Sequence, residues 1–512
     1  MTTNSDLANL QPGSVWAHFA TLCAIPRPSL HEAALRDHLI EWATARGIES
    51  VVDAAGNLIL KKPASPGCES MPGVILQGHL DMVCQANAGT QHDFERDPIN
   101  AVVRDGWVVA ENTTLGADNG IGVALALAAL EEPGLRHPPL EVLLTVNEET
   151  GMDGVRELAP GTLRGKTLIN LDTEEWGHFY LGCAGGVDVE GHHICVQEEV
   201  PPDYTLWRLD VRGLCGGHSG IDIHLGRGNA IKLLAEALHG LAERFDLYLI
   251  ELQGGTARNA IPREAYAVIA LTEKDGAQVT AWVQQKHLEW RERFAAVDPN
   301  VALGAQLLPS AWGKVRTDWG CEDAASISLP AKVSACKGIA RSEQGQLLNF
   351  LSSAFNGVAL MSEAFPGVVD SSSNLGVVTL KQGEFRATFK VRSLHDARGK
   401  SVAAELVEHA ASHGLQAWTD GAYPGWTPNP TSHLLTLCQR VYTAQFGQPA
   451  SLQVIHAGLE CGLLAASHPQ LDMISFGPDI RGAHAPGERV EIESVAHCWQ
   501  LLKAVLQALA TT

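Results

Sequence analysis

The sequence is short of the features that mark secreted and membrane-embedded proteins. Its 512 residues contain no C-x-x-C pair, and the eleven cysteines are odd in number and scattered, which is typical of neither a zinc ribbon nor a disulfide framework. No apolar run reaches the roughly 18 residues of a membrane span, and the N-terminus has no basic segment followed by an apolar one. We therefore expect free thiols, no signal peptide and a cytoplasmic location.

Positive charge is also scarce. The chain carries 37 Lys and Arg against 58 Asp and Glu, which gives a formal net charge of −21. This balance argues against a nucleic acid or an anionic membrane as partner. Solubility explains the excess acid, although some of it could be gathered around cations. The length exceeds what one hydrophobic core usually holds, so two or three domains are expected.

Acidic or imidazole side chains follow three short apolar segments. Each segment predicts a buried strand: 74–77 before His79 and Asp81, 140–146 before Glu148 and Glu149, and 167–171 before Asp172. Open α/β sheets place their ligands at the carboxyl ends of strands, so we expect these side chains to share one edge. Adjacent buried carboxylates repel each other unless cations pair with them.

Two further residues complete a candidate set. Asp118, in LGADNG, precedes a helix predicted at 121–130, where a lone Asp is usually an N-cap. His484, in GAHAPGE, follows a strand predicted at 473–476. The set suits two divalent ions, and imidazole plus carboxylate without thiolate favours zinc, or else cobalt or manganese. Its members are His79, Asp118, Glu149, Asp172 and His484. Glu148 would act as general base, and Asp81 would orient His79.

The remaining patterns predict a domain organisation. Strands alternate with amphipathic helices from 187 to 422, which favours an α+β ferredoxin-like domain, or two such folds fused, although no sequence repeat shows duplication. We predict an α/β protein in which residues 187–422 form this domain between the segments 1–186 and 423–512. The boundaries fall at the glycine-rich 182–186 and the proline-rich 423–430. Residues 308–344 match no pattern.

Local patterns predict two details near the N-terminus. Ser29 and Glu32 form the S-x-x-E pattern of a capping box before a helix. Residues 90–114 are polar and predict an irregular segment.

Taken in order, six motifs resemble the M20 metallopeptidases over nearly the whole chain: GHLDMV, LGADNG, NEETG, NLDTEE, GGHSG and GAHAPGERV. The resemblance implies a di-metal aminopeptidase-like α/β/α fold with an inserted lid, and hydrolysis of Xaa-His and other unblocked dipeptides. It implies that His79 and Asp172 hold one ion and Glu149 and His484 the other. Asp118 would bridge the ions and be followed by a cis peptide bond.

The same resemblance assigns lid residues to the substrate. His218 in GGHSG would reach the reacting carbonyl, and Arg392 in FKVRS would bind the substrate carboxylate. Asn259 in RNAIP and His456 in HAGLECG would be further contacts. A turn histidine and a surface ion pair are the plain alternatives for His218 and Arg392.

Two other functions and one assembly complete the expectations. A deacylase acting on N-acylated amino acids is the nearest alternative, because the same water attack cleaves either amide. A catalytically silent scaffold is a more distant one, and the intact ligand set with Glu148 argues against it. We expect a homodimer.

Overall fold

The structure, a computed structural model, describes residues 7–87, 89–308 and 336–511. The chain divides into two compact units. Unit 1 comprises Met1–Cys183, Gly425–Ile455 and Leu459–Thr512, and unit 2 comprises Ala184–Pro424 and His456–Gly458. Most of the unmatched stretch 308–344, namely 309–335, lies outside the described residues. Within the described ranges, no helix is both long and apolar enough to cross a membrane.

The helices of the described residues run from the N-terminus to the last residues of the chain. They are α1 (Gly13–Ala24), α2 (Ala33–Thr44), α3 (Ala117–Glu131), α4 (Glu148–Gly151), α5 (Asp153–Arg156), α6 (Ala230–Ala242), α7 (Gly276–Arg293), α8 (Arg341–Ser353), α9 (Asp396–Ser412), α10 (His433–Phe446), α11 (Glu460–Ser467) and α12 (Ile492–Leu509). Short 3-10 helices occur at Leu7–Asn9, Ile223–Leu225 and Glu273–Asp275.

The strands of the described residues belong to two large sheets and three small ones. They are β1 (Glu49–Val52), β2 (Leu58–Lys62), β3 (Val74–His79), β4 (Ala101–Arg104), β5 (Trp107–Ala110), β6 (Leu140–Thr145), β7 (Thr167–Asn170), β8 (His178–Cys183), β9 (Gly185–Ile194), β10 (Gln197–Glu199), β11 (Tyr204–Arg212), β12 (Gly217–His218), β13 (Leu247–Gly254), β14 (Ala260–Ile261), β15 (Ala265–Thr272), β16 (Ala302–Leu307), β17 (Lys337–Ile339), β18 (Gly357–Met361), β19 (Val369–Lys381), β20 (Glu384–Ser393), β21 (Gln416–Tyr423), β22 (Ser451–Ile455), β23 (Asp472–Ser475), β24 (Ile480–Arg481) and β25 (Arg489–Glu491).

Unit 1 is built on an eight-stranded mixed sheet with the order β1-β2-β6-β3-β7-β23-β8-β22. Strand β3 pairs in parallel with β6 on one side and with β7 on the other. Every residue of β3 and β6 is buried, as is typical of parallel strands that are covered on both faces. The carboxyl ends of these three strands therefore share one edge of the sheet, which confirms the prediction from their apolar segments.

Helix α3 brings its first turn against those strand ends. All its residues from Ile121 to Leu130 are buried, because a helix that is apolar on every side must lie inside a core. It packs against α1 and β3. A Cβ at Gly122 would lie 2.2 Å from the carbonyl oxygen of Leu171, just after β7. Glycine at this position therefore lets the start of α3 approach the sheet edge closely.

Unit 2 contains two ferredoxin-like arrangements in one nine-stranded sheet. Strands β11, β13, β15 and β16 with helices α6 and α7 form a β-α-β-β-α-β series whose sheet order is β16-β11-β15-β13. Strands β9, β19, β20 and β21 with α8 and α9 repeat the series, in the order β19-β20-β9-β21. The first series is inserted between β9 and α8 of the second. The lid prediction is confirmed in its fused form.

Two local predictions were wrong. Helix α2 begins at Ala33, with Glu32 at the N-cap position but without a side-chain cap hydrogen bond, so Ser29 and Glu32 do not form a capping box. The segment 90–114 contains the antiparallel pair β4 and β5. The glycine-rich stretch 182–186 lies between β8 and β9, with only Ala184 separating the two strands. Glycine at position 186 allows close packing, because a Cβ at Gly186 would lie 2.5 Å from the Tyr423 ring.

Candidate metal-binding site

Strand ends and one helix start bring the predicted ligands of unit 1 together. His79 is the last residue of β3, Asp172 follows β7 by two residues, and Glu149 lies in α4 shortly after β6. Asp118 lies in the first turn of α3 with a non-helical backbone, and the peptide bond that follows it is cis, as the resemblance implied. His484 comes from the loop between β24 and β25.

Asp118 lies between the two histidines. Its Oδ1 is 3.1 Å from Nε2 of His79, and its Oδ2 is 3.1 Å from Nε2 of His484. Each histidine has a second carboxylate neighbour, Asp172 at 3.5 Å from His79 and Glu149 at 3.2 Å from His484. Within each group the ligand atoms all lie within 4.8 Å of one another. The site therefore consists of two histidine–carboxylate groups that share Asp118.

Without cations, burying several carboxylates close together in this site is energetically unfavourable. Burial raises the pKa of Asp172 to about 6, where Asp118 and Glu149 add repulsion and His79 opposes the rise. Burial also raises the pKa of Glu148 well above its usual value. Among the described residues, Oε1 of Glu149 is buried and accepts no hydrogen bond. Divalent cations would supply the missing compensation, so this donor set fits a metal.

Asp81 braces the loop that carries the two glutamates. Its carboxylate accepts hydrogen bonds from the backbone N–H of Glu148 at 3.0 Å and of Glu149 at 3.2 Å. Nδ1 of His79 lies 3.1 Å from the backbone carbonyl oxygen of Asp81 and 3.4 Å from its carboxylate, so the carbonyl is the nearer acceptor. Burial opposes ionisation of Asp81, yet His79, Ser29 and the Glu148 N–H lower its pKa to about 2.

The two residues of the predicted capping box support this site instead. The Ser29 hydroxyl donates to the Asp81 carboxylate at 2.7 Å. The Glu32 carboxylate accepts the backbone N–H of Asn147 at 2.8 Å, at the turn that follows β6. A carboxylate can bind the N–H groups of a helix start or of a loop, and a hydroxyl can accept from an N–H or donate to a carboxylate, so the sequence pattern could not separate the two roles.

Two buried charges hold the Asp118 loop, and the sequence analysis assigned a role to neither. Glu488, 2% exposed, accepts hydrogen bonds of 2.7 to 3.2 Å from the backbone N–H groups of the four residues 115–118. Arg27, 1% exposed, donates to the backbone carbonyls of residues 80, 81 and 116. The only sequence signal was that Glu488 follows His484 by four residues in GAHAPGERV.

Glu460 is a further buried carboxylate that the sequence analysis did not assign. Its Oε2 accepts from the Gln77 amide of β3 at 2.5 Å and from the Thr145 hydroxyl of β6 at 2.7 Å. Gln77 in turn accepts from the Asn170 amide of β7 at 2.5 Å. Burial raises the pKa of Glu460 to about 7. The network joins the three strands that end in candidate ligands, and polar residues within apolar strands were its only sequence signal.

In unit 2, three of the predicted substrate contacts lie together. Arg392 of β20 is 4% exposed, donates to the Tyr423 hydroxyl at 2.8 Å, and has its Nη2 3.3 Å from Nε2 of His218. His456 is buried, with Nε2 2.8 Å from the Ser372 hydroxyl. A Cβ at Gly220 would lie 1.9 Å from the His456 carbonyl oxygen and 3.0 Å from Cδ of Arg392. The last glycine of GGHSG therefore permits this approach.

Asn259, the fourth predicted contact, is exposed beside this cluster. It directly precedes β14, in which Ala260 pairs with His218 of β12. Its carbonyl oxygen accepts the backbone N–H of Ser219 at 2.8 Å.

His218 presents a hydrogen-bond donor next to Arg392. Its Nδ1 accepts from the backbone N–H groups of Gly220 at 3.2 Å and Ile221 at 3.0 Å, which assigns the hydrogen of the neutral ring to Nε2. Burial, followed by the charge of Arg392, lowers the pKa of His218 to about 4. Arg392 forms no ion pair with any carboxylate in the described part of the chain. Two adjacent donors suit neighbouring anionic or carbonyl oxygens.

The chain is similar to known peptidases in sequence and in fold. The family model for "Peptidase family M20/M25/M40" matches residues 75–508. The chain is 41% identical over 505 residues to the cytosol non-specific dipeptidase of Escherichia coli K12, with 99% of each chain covered. It superposes on the aminoacylhistidine dipeptidase of Vibrio alginolyticus with a TM-score of 0.82 and 38% identity over 98% of both chains. Aminopeptidase PepT of Bacillus cereus, 15% identical with a TM-score of 0.54, shares the fold.

Proposed function

The chain belongs to peptidase family M20/M25/M40, and we propose that it is a metal-dependent dipeptidase that cleaves Xaa-His and other unblocked dipeptides. The observation that carries the proposal is Asp118, whose two carboxylate oxygens each face one histidine at 3.1 Å. The substrate class rests on similarity, since the relatives named dipeptidases in E. coli and V. alginolyticus match this chain over nearly their whole length.

Two divalent ions would be held by the five side chains around Asp118. His79 and Asp172 would hold one ion and Glu149 and His484 the other, with Asp118 shared between them. Imidazole and carboxylate donors without a thiolate favour zinc, while cobalt or manganese would also suit them. Bound ions of this kind polarise a substrate carbonyl and make water a better nucleophile at neutral pH.

Glu148 would act as the general base and then as the general acid in this reaction. It takes a proton from the attacking water and passes it to the amine that leaves when the peptide bond breaks. The two N–H groups bound by Asp81 fix the backbone of Glu148 and Glu149, so base and ligand keep their relative positions.

The cluster in unit 2 would bind the two oxygen-bearing groups of the substrate. Arg392 binds the C-terminal carboxylate, supported by its burial without an ionic partner among the described residues. His218 donates its Nε2–H to the oxygen that gains negative charge at the reacting carbonyl. His456 and Asn259 are proposed as further substrate contacts. A carboxylate clamp of this kind rejects longer peptides, because their carboxylate lies too far from the cleaved bond.

A panel of substrates tests the proposal. Purified protein loaded with zinc, cobalt or manganese is assayed on free dipeptides, tripeptides, dipeptide amides and N-acetylated amino acids. We expect good cleavage of free dipeptides, including Xaa-His, and poor cleavage of the other three groups. Faster cleavage of N-acetylated amino acids would make the protein a deacylase. No hydrolysis of any substrate with the metal sites filled would make it a silent scaffold.

We further propose a cytoplasmic protein that acts as a homodimer. The location is supported by the name of the E. coli relative and by the free cysteines of the described residues. Fractionation of the source cells tests the location. Light scattering of the purified full-length chain tests the dimer, and a monomer over the whole working concentration range would contradict it.

A further inference from the structure

Unit 2 contains a histidine, a cysteine and a glutamate in the arrangement of metal ligands, away from the residues assigned above. His193 lies at the end of β9, Cys195 directly follows that strand, and Glu343 lies in the first turn of α8. One ligand atom from each of the three lies within 4.8 Å of the others. We call this group the thiol site.

Backbone hydrogen bonds fix the thiol site from both sides. The N–H of Cys195 donates to the carbonyl of Gly383 at 2.7 Å. The N–H of Val196 donates to Oε2 of Glu343 at 2.7 Å, and the carbonyl of Val196 accepts the N–H of Ala340 at 2.8 Å. The end of β9 and the start of α8 are therefore held together before any ion binds, so the ligands need little reorganisation.

The spacing within the thiol site is compatible with metal ligands. Nε2 of His193 lies 3.4 Å from Oε2 of Glu343, a long hydrogen bond that a bound ion could replace. Tetrahedral zinc with bonds of about 2.0–2.3 Å separates its ligand atoms by about 3.3–3.7 Å. The two side chains remain 25% and 21% exposed, which leaves access for an ion and a water ligand.

We propose that His193, Cys195 and Glu343 form a further metal site that binds Zn²⁺ or a similar borderline-soft divalent cation. A thiolate, an imidazole and a carboxylate are all ligands that zinc accepts. On binding, the S–H bond of Cys195 breaks, a sulfur–metal bond forms, and the proton passes to solvent. The site differs in kind from the group around Asp118, because that group contains no sulfur.

The place of the thiol site in the chain indicates what the metal does. The first ferredoxin-like series, β11 to β16, is inserted into the second series between β9 and α8. Cys195 and Glu343 therefore lie at the two ends of the insertion. A bound ion would clip those ends together and stabilise the folded unit, because closing a long loop restricts the unfolded chain.

Cobalt tests the thiol site without interference from the site in unit 1. Full-length protein is stripped of metal and titrated with Co²⁺, and the near-ultraviolet band of thiolate-to-cobalt charge transfer is recorded. Carboxylate and imidazole ligands give no such band. We expect the band to account for one cobalt per chain beyond the two that the site in unit 1 would take, and Zn²⁺ to displace it. Dipeptide hydrolysis by the zinc-loaded protein should be the same in wild type and in Cys195→Ser.

Matched variants connect the band to these three residues. Cys195→Ser should abolish it, whereas Cys215→Ser, which changes an exposed cysteine, should retain it. Glu343→Gln keeps an acceptor for the Val196 N–H, so it should fold normally and lower cobalt affinity at least about tenfold. A wild type without the band when its other sites are full would overturn the proposal. So would a band that survives in Cys195→Ser.

Discussion

Glu488 offers the sharpest test of how the Asp118 loop is held. Its carboxylate accepts four backbone hydrogen bonds, from residues 115–118, and is 2% exposed. Glu488→Ala removes all four acceptors at once. A buried donor left without a partner costs about 1–3 kcal/mol, and the loop can relax toward water. We therefore expect the free energy of unfolding to fall by about 4–6 kcal/mol rather than by the full sum.

Metal affinity should fall with stability, because Asp118 is the last residue of the braced loop. Outer partners of a metal ligand typically contribute about 10–100-fold in affinity, and we expect a loss in that range. Glu488→Gln has one carbonyl oxygen to offer and should lose about half as much free energy of unfolding as Glu488→Ala. Glu493→Ala, which changes an exposed residue of the following helix, is the control and should remain within about 0.5 kcal/mol of wild type.

Guanidinium unfolding of the full-length chain and zinc titration with a competing chelator measure the two effects. The expected order of loss is Glu488→Ala, then Glu488→Gln, then Glu493→Ala. If Glu488→Ala unfolded at the wild-type midpoint and bound zinc as tightly as wild type, the reasoning about this loop would be refuted.

Four further predictions concern catalysis and pH. Glu148→Gln should retain metal while kcat falls by about 10²–10⁴, and loss of a metal instead would mean that Glu148 is a ligand. His218→Ala should lower kcat by about 10²–10³ with fold and metal content unchanged, whereas normal turnover would leave it a turn histidine. Arg392→Ala should slow cleavage of free dipeptides by about 10–100-fold and leave dipeptide amides almost unaffected; equal wild-type rates on both substrates would contradict the clamp. Burial, followed by Arg392, lowers the pKa of His456 to about 3, so below pH 6.5 the unfolded chain binds a proton that the folded chain does not. This one histidine should therefore lower the stability by about 2–3 kcal/mol on going from pH 6.5 to pH 4.5, and His456→Gln should lose that much less than wild type over the same range in acid unfolding curves.

The ligand positions could be predicted because they follow from local pattern and sheet geometry. Apolar segments ending in His79, Glu149 and Asp172 predict buried strands, and neighbouring parallel strands bring their carboxyl ends to one edge. Asp118 could not be placed by pattern alone, since an acid before a helix is usually a cap. The ordered set of motifs favoured a metal ligand over a helix cap for Asp118.

The braces around the site could not be predicted, because their partners are backbone groups that are distant in sequence. Glu488 binds N–H groups some 370 positions away, and Arg27 binds carbonyls of two separate loops. Ser29 was misassigned because a hydroxyl suits both a helix cap and a loop brace. The two ferredoxin-like series of unit 2 have no recognisable repeat in the sequence, since many sequences satisfy the same strand and helix pattern.

The proposed site in unit 1 needs two metal ions to hydrolyse dipeptides. It is tested most directly by measuring hydrolysis of a free dipeptide against zinc bound per chain, in Cys195→Ser so that the thiol site does not contribute. We expect activity to reach its plateau at two ions per chain, and Asp118→Ala to lose both tight binding steps. A plateau at one ion per chain, with no second ion bound at any zinc concentration, would contradict it.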